Sequence, residues 1–458
     1  MYQLNFIDYT FLNNPNNTMH TISGTFVFKN TNNIDFKKIV IENINRSIDK
    51  APLAKAIVKE SAIKNDYPYL VLCKNFNIEE HVFEHHMSDE KDIDLLIKNI
   101  LNKDLPLDKP TWNIHIIYHG DKENHVTFFR CAHHAFADGT TYAKNALDIA
   151  FDNFILNEKI KYKKINKFNC YVNHFIKLLD SKLQYLRGFV FNAKYISKKD
   201  AVIRKDLFPG LWRPKGVYNR DFHNFQYDLS DSEKIMKNFG LTTLVFSFVA
   251  NSIVYRKILS NKNINNKTIL TLYPIPDKTK KNLKNTNQII SSMVNLHINE
   301  NNVIKLIDLI KNEIEINKNI IKNTPFTFYG RSARLDPRIS KNQKGWDLVN
   351  KSNWKNKKRI PSKIENSGYA ATSTSFFGDG GFSKISIGGN IVQSSHSMTM
   401  PLAVPGSIGI SSSFRKLGNT LHIGLSYLEE LMPNKKELEK MYIEAFEEIL
   451  KAINGSNR

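Results

Sequence analysis

Residues 125–139 read His-Val-Thr-Phe-Phe-Arg-Cys-Ala-His-His-Ala-Phe-Ala-Asp-Gly. The apolar run through residues 125–132 predicts a β-strand, and residues 114–118 predict a partner strand across the polar turn at 120–124. Beyond Gly139, apolar residues recur at helical spacing and predict a helix. Two adjacent histidines and an Asp-Gly pair therefore lie between a strand and a helix, where α/β proteins place active sites.

The histidine pair supplies a candidate general base. A neutral imidazole can take a proton from an alcohol or an amine, because its pKa of about 6.5 suits neutral pH. Adjacent residues of an extended strand point to opposite sides, so one of His133 and His134 can face a channel while the other packs inward. Asp138 can hydrogen-bond the loop backbone or pair with a distant arginine, and Gly139 permits a tight entry into the helix.

Other uses of these residue types are disfavoured. A zinc site of His133, His134 and Asp138 lacks a fourth ligand, and adjacent histidines on a strand diverge, so we expect no bound metal. Strand alternation puts Cys131 on the face opposite His134, which favours a core residue over a nucleophile. The similar stretch at residues 85–90, His-His-Met-Ser-Asp-Glu, lacks the glycine and the preceding apolar strand, so it predicts a solvated turn.

The motif residues carry a resemblance to a known superfamily. His133-His134-Ala-Phe-Ala-Asp138-Gly139 resembles the HHxxxDG motif of acyltransferases that include chloramphenicol acetyltransferase and the condensation domains of peptide synthetases. Residues 105–113, Leu-Pro-Leu-Asp-Lys-Pro-Thr-Trp-Asn, are similar to the element that precedes this motif in the wax ester synthase/diacylglycerol acyltransferase family. Further stretches similar to that family are Leu4, Asp8, Phe11 and Leu12, residues 18–20, 271–274 and 287–291, and the region from 387 to 408.

The resemblance implies a fold and a set of roles. The expected fold is α/β of the α+β type, with two chloramphenicol-acetyltransferase-like domains, mixed sheets and an active-site channel between the domains. His134 would be the general base and Asp138 a structural residue, with His133 and Gly139 completing the motif. Asn287 would donate a hydrogen bond to the oxyanion, with Ser291 as a second candidate. Three residues are expected to be architectural: Pro106, Asp108 and Trp112.

The activity implied is transfer of a fatty acyl group from acyl-CoA to a long-chain alcohol or diacylglycerol, without an acyl-enzyme. No cofactor is expected, because acyl-CoA is a co-substrate. The chain departs from the family at Thr243-Leu244, at Thr286 and around residues 372–375, which leaves the acceptor open. One alternative is a condensation-type enzyme that uses a carrier-protein thioester and an amine or small alcohol. Another is a non-catalytic basic binding protein.

Composition narrows the class of protein. Of 458 residues, 65 are Lys or Arg and 44 are Asp or Glu, a formal charge of +21 that favours anionic partners. Such partners include nucleic acid, an anionic membrane or lipid-droplet surface, and a phosphorylated ligand, and charge alone does not choose among them. No nucleic-acid motif is present, which disfavours the first. The three cysteines are too few for a disulfide framework. Without a secretory signal or a long apolar stretch, we expect a cytoplasmic protein with at most peripheral membrane contact.

The chain divides into three parts on composition. Residues 1–156 would form an N-terminal domain that carries the motif, and residues 221–458 a second acyltransferase-like domain. Between them, residues 157–216 hold fifteen Lys or Arg against four acidic residues. Apolar residues recur at three- and four-residue steps from 175 to 190, which predicts a basic amphipathic helix in the connection of residues 157–220, as an interdomain bridge or a membrane-surface element.

Apolar periodicity predicts the remaining elements. Helices are expected at 36–48, 241–259 and 303–320, and at the C-terminus, where Leu438, Met441, Tyr442, Ala445, Phe446, Ile449, Leu450 and Ile453 have core spacing. Strands are expected at 24–28, 268–273, 292–298, 384–387, 408–414 and 420–427. Residues 331–366 predict a long polar loop.

Overall fold

The computed structural model describes residues 2–4, 21–61, 68–103, 105–120, 124–134, 148–152, 175, 179, 219–260, 269–276, 289–323, 372–377, 384–399, 409–430 and 432–456. The predicted loop at 331–366 and the predicted helix after Gly139 as far as residue 147 lie outside these ranges. The predicted helix also includes Ala150, but Asp148–Ala150 forms a single 3₁₀ turn and residues 151–152 are not helical. Of the predicted helix from 175 to 190, only Phe175 and Leu179 are described, and both are helical.

Strands of the described residues form three sheets. The first has the order β12 (Ser386–Ile387), β13 (Asn390–Thr399), β2 (Thr21–Lys29), β7 (His125–His133), β6 (Trp112–His119), β5 (Val82–His86). The second has the order β10 (Ile289–Asn295), β9 (Leu270–Pro276), β11 (Thr372–Phe377), β14 (Ile410–Leu417), β15 (Thr420–Leu428), β8 (Arg220–Asp228). A small third sheet contains β1 (Tyr2–Gln3), β4 (Tyr69–Leu72) and β3 (Ala56–Lys59).

Both large sheets mix parallel and antiparallel pairs, as the predicted α/β class requires. In the first sheet, β7 lies antiparallel between β2 and β6, while the edge strand β5 is parallel to β6. In the second sheet, β11 is parallel to both β9 and β14, and the other neighbours are antiparallel. The two predicted strands around the turn at 120–124 are confirmed as β6 and β7.

Helices cover the sheets with apolar faces. Helix α1 (Phe36–Ser47) begins where the Asp35 carboxylate accepts a hydrogen bond from the Lys38 backbone N–H at 2.8 Å, and it packs on the first sheet. Helix α2 (Glu90–Leu101) packs beside β6 and β7 through Ile93, Ile97 and Leu101. The second half contains α3 (Glu233–Asn238), α4 (Thr243–Ser260), α5 (Val303–Asn323) and α6 (Lys435–Ser456), which share one core with the second sheet.

The predicted helices at 36–48, 241–259, 303–320 and the C-terminus are confirmed as α1, α4, α5 and α6. Along α6 the predicted apolar positions are buried, except that Leu450 is only partly buried. The strand expected at 292–298 is displaced to β10, because His297 has a positive φ of 45° that ends the extended run.

The prediction of a solvated turn at His85 and His86 is wrong. Both residues lie in the edge strand β5, where His85 Nε2 is 3.0 Å from His115 Nδ1 and the His86 ring stacks on Tyr118. Only Val82 of this edge strand is buried, so residues 82–86 show little apolar alternation. The parallel pairing of β5 to β6 joins residues more than 30 positions apart and cannot be read from neighbouring residues.

Strand β13 joins the two halves of the molecule. It lies in the sequence beyond residue 221, yet it pairs antiparallel with β2 of the first sheet, with His396 opposite Thr25. Its other contacts are with the second sheet: His396 Nε2 is 3.2 Å from the Phe225 carbonyl oxygen, and Arg415 Nη2 donates to Ser397 Oγ at 2.6 Å. One strand therefore belongs to the first sheet and packs against the second.

Helix α4 is apolar along most of its length and is buried on both sides within the second half. Its polar residue Asn251 donates from Nδ2 to Thr374 Oγ1 and Ser412 Oγ, both at 2.9 Å, and accepts from the Tyr442 hydroxyl at 2.7 Å. Among the helices described, none is both long and apolar enough to cross a membrane.

Candidate active site

Strand β7 ends at the histidine pair. His133 is its last residue and lies opposite Thr21 of β2, and its backbone N–H donates to the Thr111 carbonyl oxygen at 2.9 Å. His134 follows directly in a turn, and its side chain is partly exposed. The predicted position of the pair at a strand end is therefore correct, and the two ladders on either side of β7 fix the backbone from which His134 projects.

The two histidines lie in different surroundings. His133 is buried, with 5 % of its surface exposed. Burial, aided by repulsion from His134 whenever His134 is protonated, lowers the pKa of His133 from 6.5 to about 3. His133 is therefore neutral at physiological pH and closed off from solvent, whereas His134 reaches the surface of the strand end. Only His134 of this pair has the access that a proton acceptor for an external substrate needs.

Cys131 lies in the core, as the alternation predicted. It packs in a cluster with Phe129, Phe222 and Met398, which come from both halves of the molecule. Burial raises the pKa of the Cys131 thiol to about 12, so it stays protonated. A thiolate nucleophile at this position is excluded on those grounds.

Trp112 supports the strand end from the neighbouring strand. It is the first residue of β6, lies opposite Ala132, and is buried. Its indole N–H donates to the Ala54 carbonyl oxygen at 2.7 Å, and its ring stacks on His81 with centroids 4.8 Å apart. Pro106 and Asp108 are exposed, in the segment that leads to β6. Of the three residues expected to be architectural, Trp112 is the one with core contacts.

An ion pair behind the histidines was not predicted. Arg130 of β7 donates from Nη1 to Asp148 Oδ1 at 2.8 Å, and both side chains are largely shielded from solvent. Burial raises the pKa of Asp148 to about 6, against the lowering effect of Arg130 and of Arg415 from β14. The alternation of β7, which puts Arg130, Ala132 and His134 on one side, was a usable signal for Arg130. The sequence around its partner Asp148 gave no such signal.

Several predicted site residues lie outside the residues that the structure describes: Asp138, Gly139 and Asn287. Ser291 is described only in its backbone, which pairs with Pro274 in β9 and β10. Within the described ranges, no three His, Cys, Asp or Glu side chains come together in a way that could hold a metal ion.

Comparison with known families adds to this geometry. The model of the wax ester synthase/diacylglycerol acyltransferase catalytic domain matches residues 4–243, just over half of the chain. The chain belongs to this family. The match includes β2, β6 and β7, the strands that position the histidine pair. The protein is therefore an acyltransferase of the wax ester synthase/diacylglycerol acyltransferase type, as the sequence motifs predicted. No curated protein matches the sequence itself.

Solved structures share the fold of this family member. A wax ester synthase/diacylglycerol acyltransferase from Marinobacter aquaeolei VT8 matches with a TM-score of 0.62 at 11 % identity, covering 99 % of this chain and 100 % of that one. The epimerization domain of the third module of tyrocidine synthetase B gives 0.58 at 10 % identity, covering 99 % and 96 %. The starter condensation domain of rhizomide synthetase gives 0.54 at 10 % identity, covering 98 % and 96 %. These matches confirm the predicted fold class.

Proposed function

We propose that the protein transfers a fatty acyl group from acyl-CoA to the hydroxyl of a long-chain alcohol or of diacylglycerol. The observation that carries this proposal is the position of His134, partly exposed at the end of β7, within a matched acyltransferase catalytic domain. The neighbouring His133 is buried and neutral, which leaves His134 as the base of the pair.

The proposed reaction is a direct transfer. A ring nitrogen of neutral His134 takes the proton of the acceptor hydroxyl, and the oxygen attacks the thioester carbonyl carbon. The tetrahedral intermediate then expels the CoA thiolate as the C–S bond breaks, and the His134 imidazolium returns the proton to the sulfur. Asn287 is proposed to donate a hydrogen bond to the oxyanion, a contribution of about 2.7–4 kcal/mol to the transition state in other acyl-transfer sites.

A structure with the same fold supports acyl-CoA as the acyl donor. A mutant starter condensation domain of rhizomide synthetase, which matches this chain with a TM-score of 0.58, is described as a complex with C8-CoA. The excess of Lys and Arg in this chain also suits an anionic donor.

The test is product formation by the purified full-length protein. Palmitoyl-CoA is supplied with hexadecanol, with diacylglycerol, or with ethanol as a small alcohol, and the released thiol and the ester are measured together. The proposal expects thiol release that depends on one of the two lipid acceptors and equals the ester formed. Thiol release without ester, or ester with ethanol alone, would contradict it.

A second candidate donor is an acyl group on a carrier protein. It is favoured by the several condensation domains among the structural matches, such as the first condensation domain of the CDA synthetase with a TM-score of 0.58. The two candidates separate on donor preference: the same acyl chain is offered as acyl-CoA and as the thioester of a phosphopantetheine carrier. At least a tenfold higher kcat/KM with the carrier would favour the second candidate.

We further propose that the basic connection contacts an anionic membrane or lipid-droplet surface. Phe175 and Leu179, four residues apart on a helical backbone, share one face and are 60 % and 47 % exposed. They lie in the segment with fifteen basic residues against four acidic ones, so apolar and cationic groups occur together as in membrane-surface helices.

Sedimentation with vesicles tests this surface. The protein should be recovered with vesicles that contain anionic lipid at low salt, but not with neutral vesicles. The double variant Phe175→Ser/Leu179→Ser should lose recovery, while a Leu95→Ser variant, at an exposed leucine of α2, should retain it. Equal recovery with both kinds of vesicle would contradict the proposal.

A further inference from the structure

His134 directly follows β7, and the next described residue, Asp148, lies in a 3₁₀ turn and accepts a hydrogen bond from Arg130 of β7. We propose that the Arg130–Asp148 ion pair is a positioning pair, which holds residues 148–152 against β7 and thereby keeps His134 in its reactive geometry. This inference rests on the proposed acyl transfer. Neither residue belongs to the HHxxxDG motif, and neither is expected to touch the substrate.

The arginine is held in one orientation by its surroundings. Its guanidinium lies 4.8 Å from the centroid of the Phe26 ring and 5.7 Å from that of Phe151, while Nη1 donates to Asp148. Phe26, Phe128 and Phe151 pack edge to face or tilted against one another, with centroids 5.3–6.1 Å apart. A planar, stacked guanidinium fits this arrangement better than an ammonium group would.

The return segment, residues 148–152, is fixed at its other end too. The Asp152 carboxylate accepts from the Gly389 backbone N–H and from Asn43 Nδ2, both at 3.0 Å. Asn43 Nδ2 also donates to the Ala150 carbonyl oxygen at 3.1 Å, and the Asp152 N–H donates to the Ser386 carbonyl oxygen at 3.0 Å. The return segment is therefore tied to β7, to α1 and to the region of β12.

The end of β7 before His134 is fixed by the strand ladder and by the hydrogen bond from the His133 N–H to the Thr111 carbonyl oxygen. Asp138 and Gly139 lie in sequence between these two anchors. Releasing one anchor increases the conformational freedom of the chain between them. Because catalytic groups must be held within about 0.5 Å of their productive positions, such a release lowers the rate of the chemical step more than it weakens donor binding.

The effect differs from that of a general loss of stability. The matched control is Arg256 of α4, which donates from Nη1 to the Glu300 carbonyl oxygen at 2.6 Å and lies 3.4 Å from Glu448 of α6. This arginine is less buried than Arg130, with 20 % of its side chain exposed against 7 %, but it also joins separate elements and lies in the second half of the molecule. Replacing Arg130 and, separately, Arg256 with the same residue distinguishes a loss of catalytic positioning from a loss of folding stability.

The experiment measures kcat and KM for palmitoyl-CoA with full-length protein, at a temperature at which each variant is folded by circular dichroism. Arg130→Met is expected to lower kcat about 30-fold and to change KM by less than about threefold. Arg130→Lys keeps the positive charge but loses the planar guanidinium that lies against Phe26 and Phe151, and it should lower kcat only about fivefold. Arg256→Met should lower the melting temperature without a matching loss of kcat.

Amide hydrogen exchange gives a readout that needs no activity. Arg130→Met should speed exchange of the Phe151 and Asp152 amides at least about tenfold, and Arg256→Met should not. An Arg130→Met protein that is folded and keeps wild-type kcat or wild-type exchange would overturn the positioning role. Equal loss of kcat in both variants would also overturn it. A wild type without any acyl transfer would instead overturn the proposed function, and this inference with it.

Discussion

The Cα of Gly424 lies so close to the carbonyl oxygen of Ser397 that a Cβ atom at this position would overlap that oxygen. Gly424 belongs to β15 of the second sheet and Ser397 to β13 of the first. Ser413 of β14 completes the contact, since its hydroxyl lies within hydrogen-bond distance of the carbonyl oxygens of both Ser397 and Gly424 and can donate to either. The two halves of the molecule are joined by a close backbone approach that a side chain would prevent.

A Gly424→Ala substitution should therefore destabilise the joint between the halves. The added methyl would meet the Ser397 carbonyl oxygen and, at 2.8 Å, Ser413 Oγ. Overpacking of this kind lowers the free energy of unfolding by about 1–3 kcal/mol, which chemical denaturation would detect. Gly455→Ala is the control, because a methyl group added there, in α6, would have no atom within 4 Å. Equal stability of both variants would contradict the close approach.

Stability should fall steeply as the pH is lowered from 7 to 5. Burial lowers the pKa of His115, His133 and His396 to about 3 and that of His422 to about 4. The unfolded chain therefore binds protons below pH 6.5 that the folded chain does not bind, and the free energy of unfolding decreases through this window. Asp148, with its pKa raised to about 6, opposes the trend because its folded form takes up a proton first.

The net change between pH 7 and pH 5 should be a loss on the order of 6 kcal/mol, measured by chemical denaturation at a series of pH values. His396→Gln removes one of the buried imidazoles and should make the pH dependence shallower by about 2 kcal/mol over the same range. A free energy of unfolding that stays constant or rises toward pH 5 would show that these histidines are not buried as neutral groups.

Asn287 provides a test of the role that the family resemblance assigns. Asn287→Ala should lower kcat about 10²–10³-fold and leave KM for the acyl donor nearly unchanged, since the hydrogen bond acts on the oxyanion of the transition state. Asn285→Ala, the same change two positions earlier, is the control and should behave as the wild type. If the two variants have the same kcat, the oxyanion donor is another group.

Sequence patterns predicted those parts of the fold that depend on local order. Helix α6 was read from apolar residues at helical spacing, and β6 and β7 from two apolar runs that a short turn separates. The pairing of β13 with β2 joins residues more than 350 positions apart, and no local pattern encodes such a register. The parallel pairing of β5 with β6 is also not encoded locally, and for this reason the sequence did not predict that His85 and His86 lie in a sheet.

Of the candidate site, too, local sequence predicted one part and not another. The position of His133 and His134 at a strand end followed from the apolar run before them and the glycine after them. The pairing of Arg130 with Asp148 did not, because it depends on which later part of the chain packs against β7. A single acidic residue such as Asp148 carries no mark in the sequence that distinguishes an anchor from a solvated side chain.

The central claim is that His134 is the base for acyl transfer, and its most direct test is the rate of palmitoyl ester formation from palmitoyl-CoA and a lipid alcohol by wild type and by His134→Gln. The control is His86→Gln, at an exposed histidine of β5. We expect a loss of at least about 10²-fold in kcat for folded His134→Gln and no comparable loss for His86→Gln. Ester formation at the wild-type rate by His134→Gln would contradict the account.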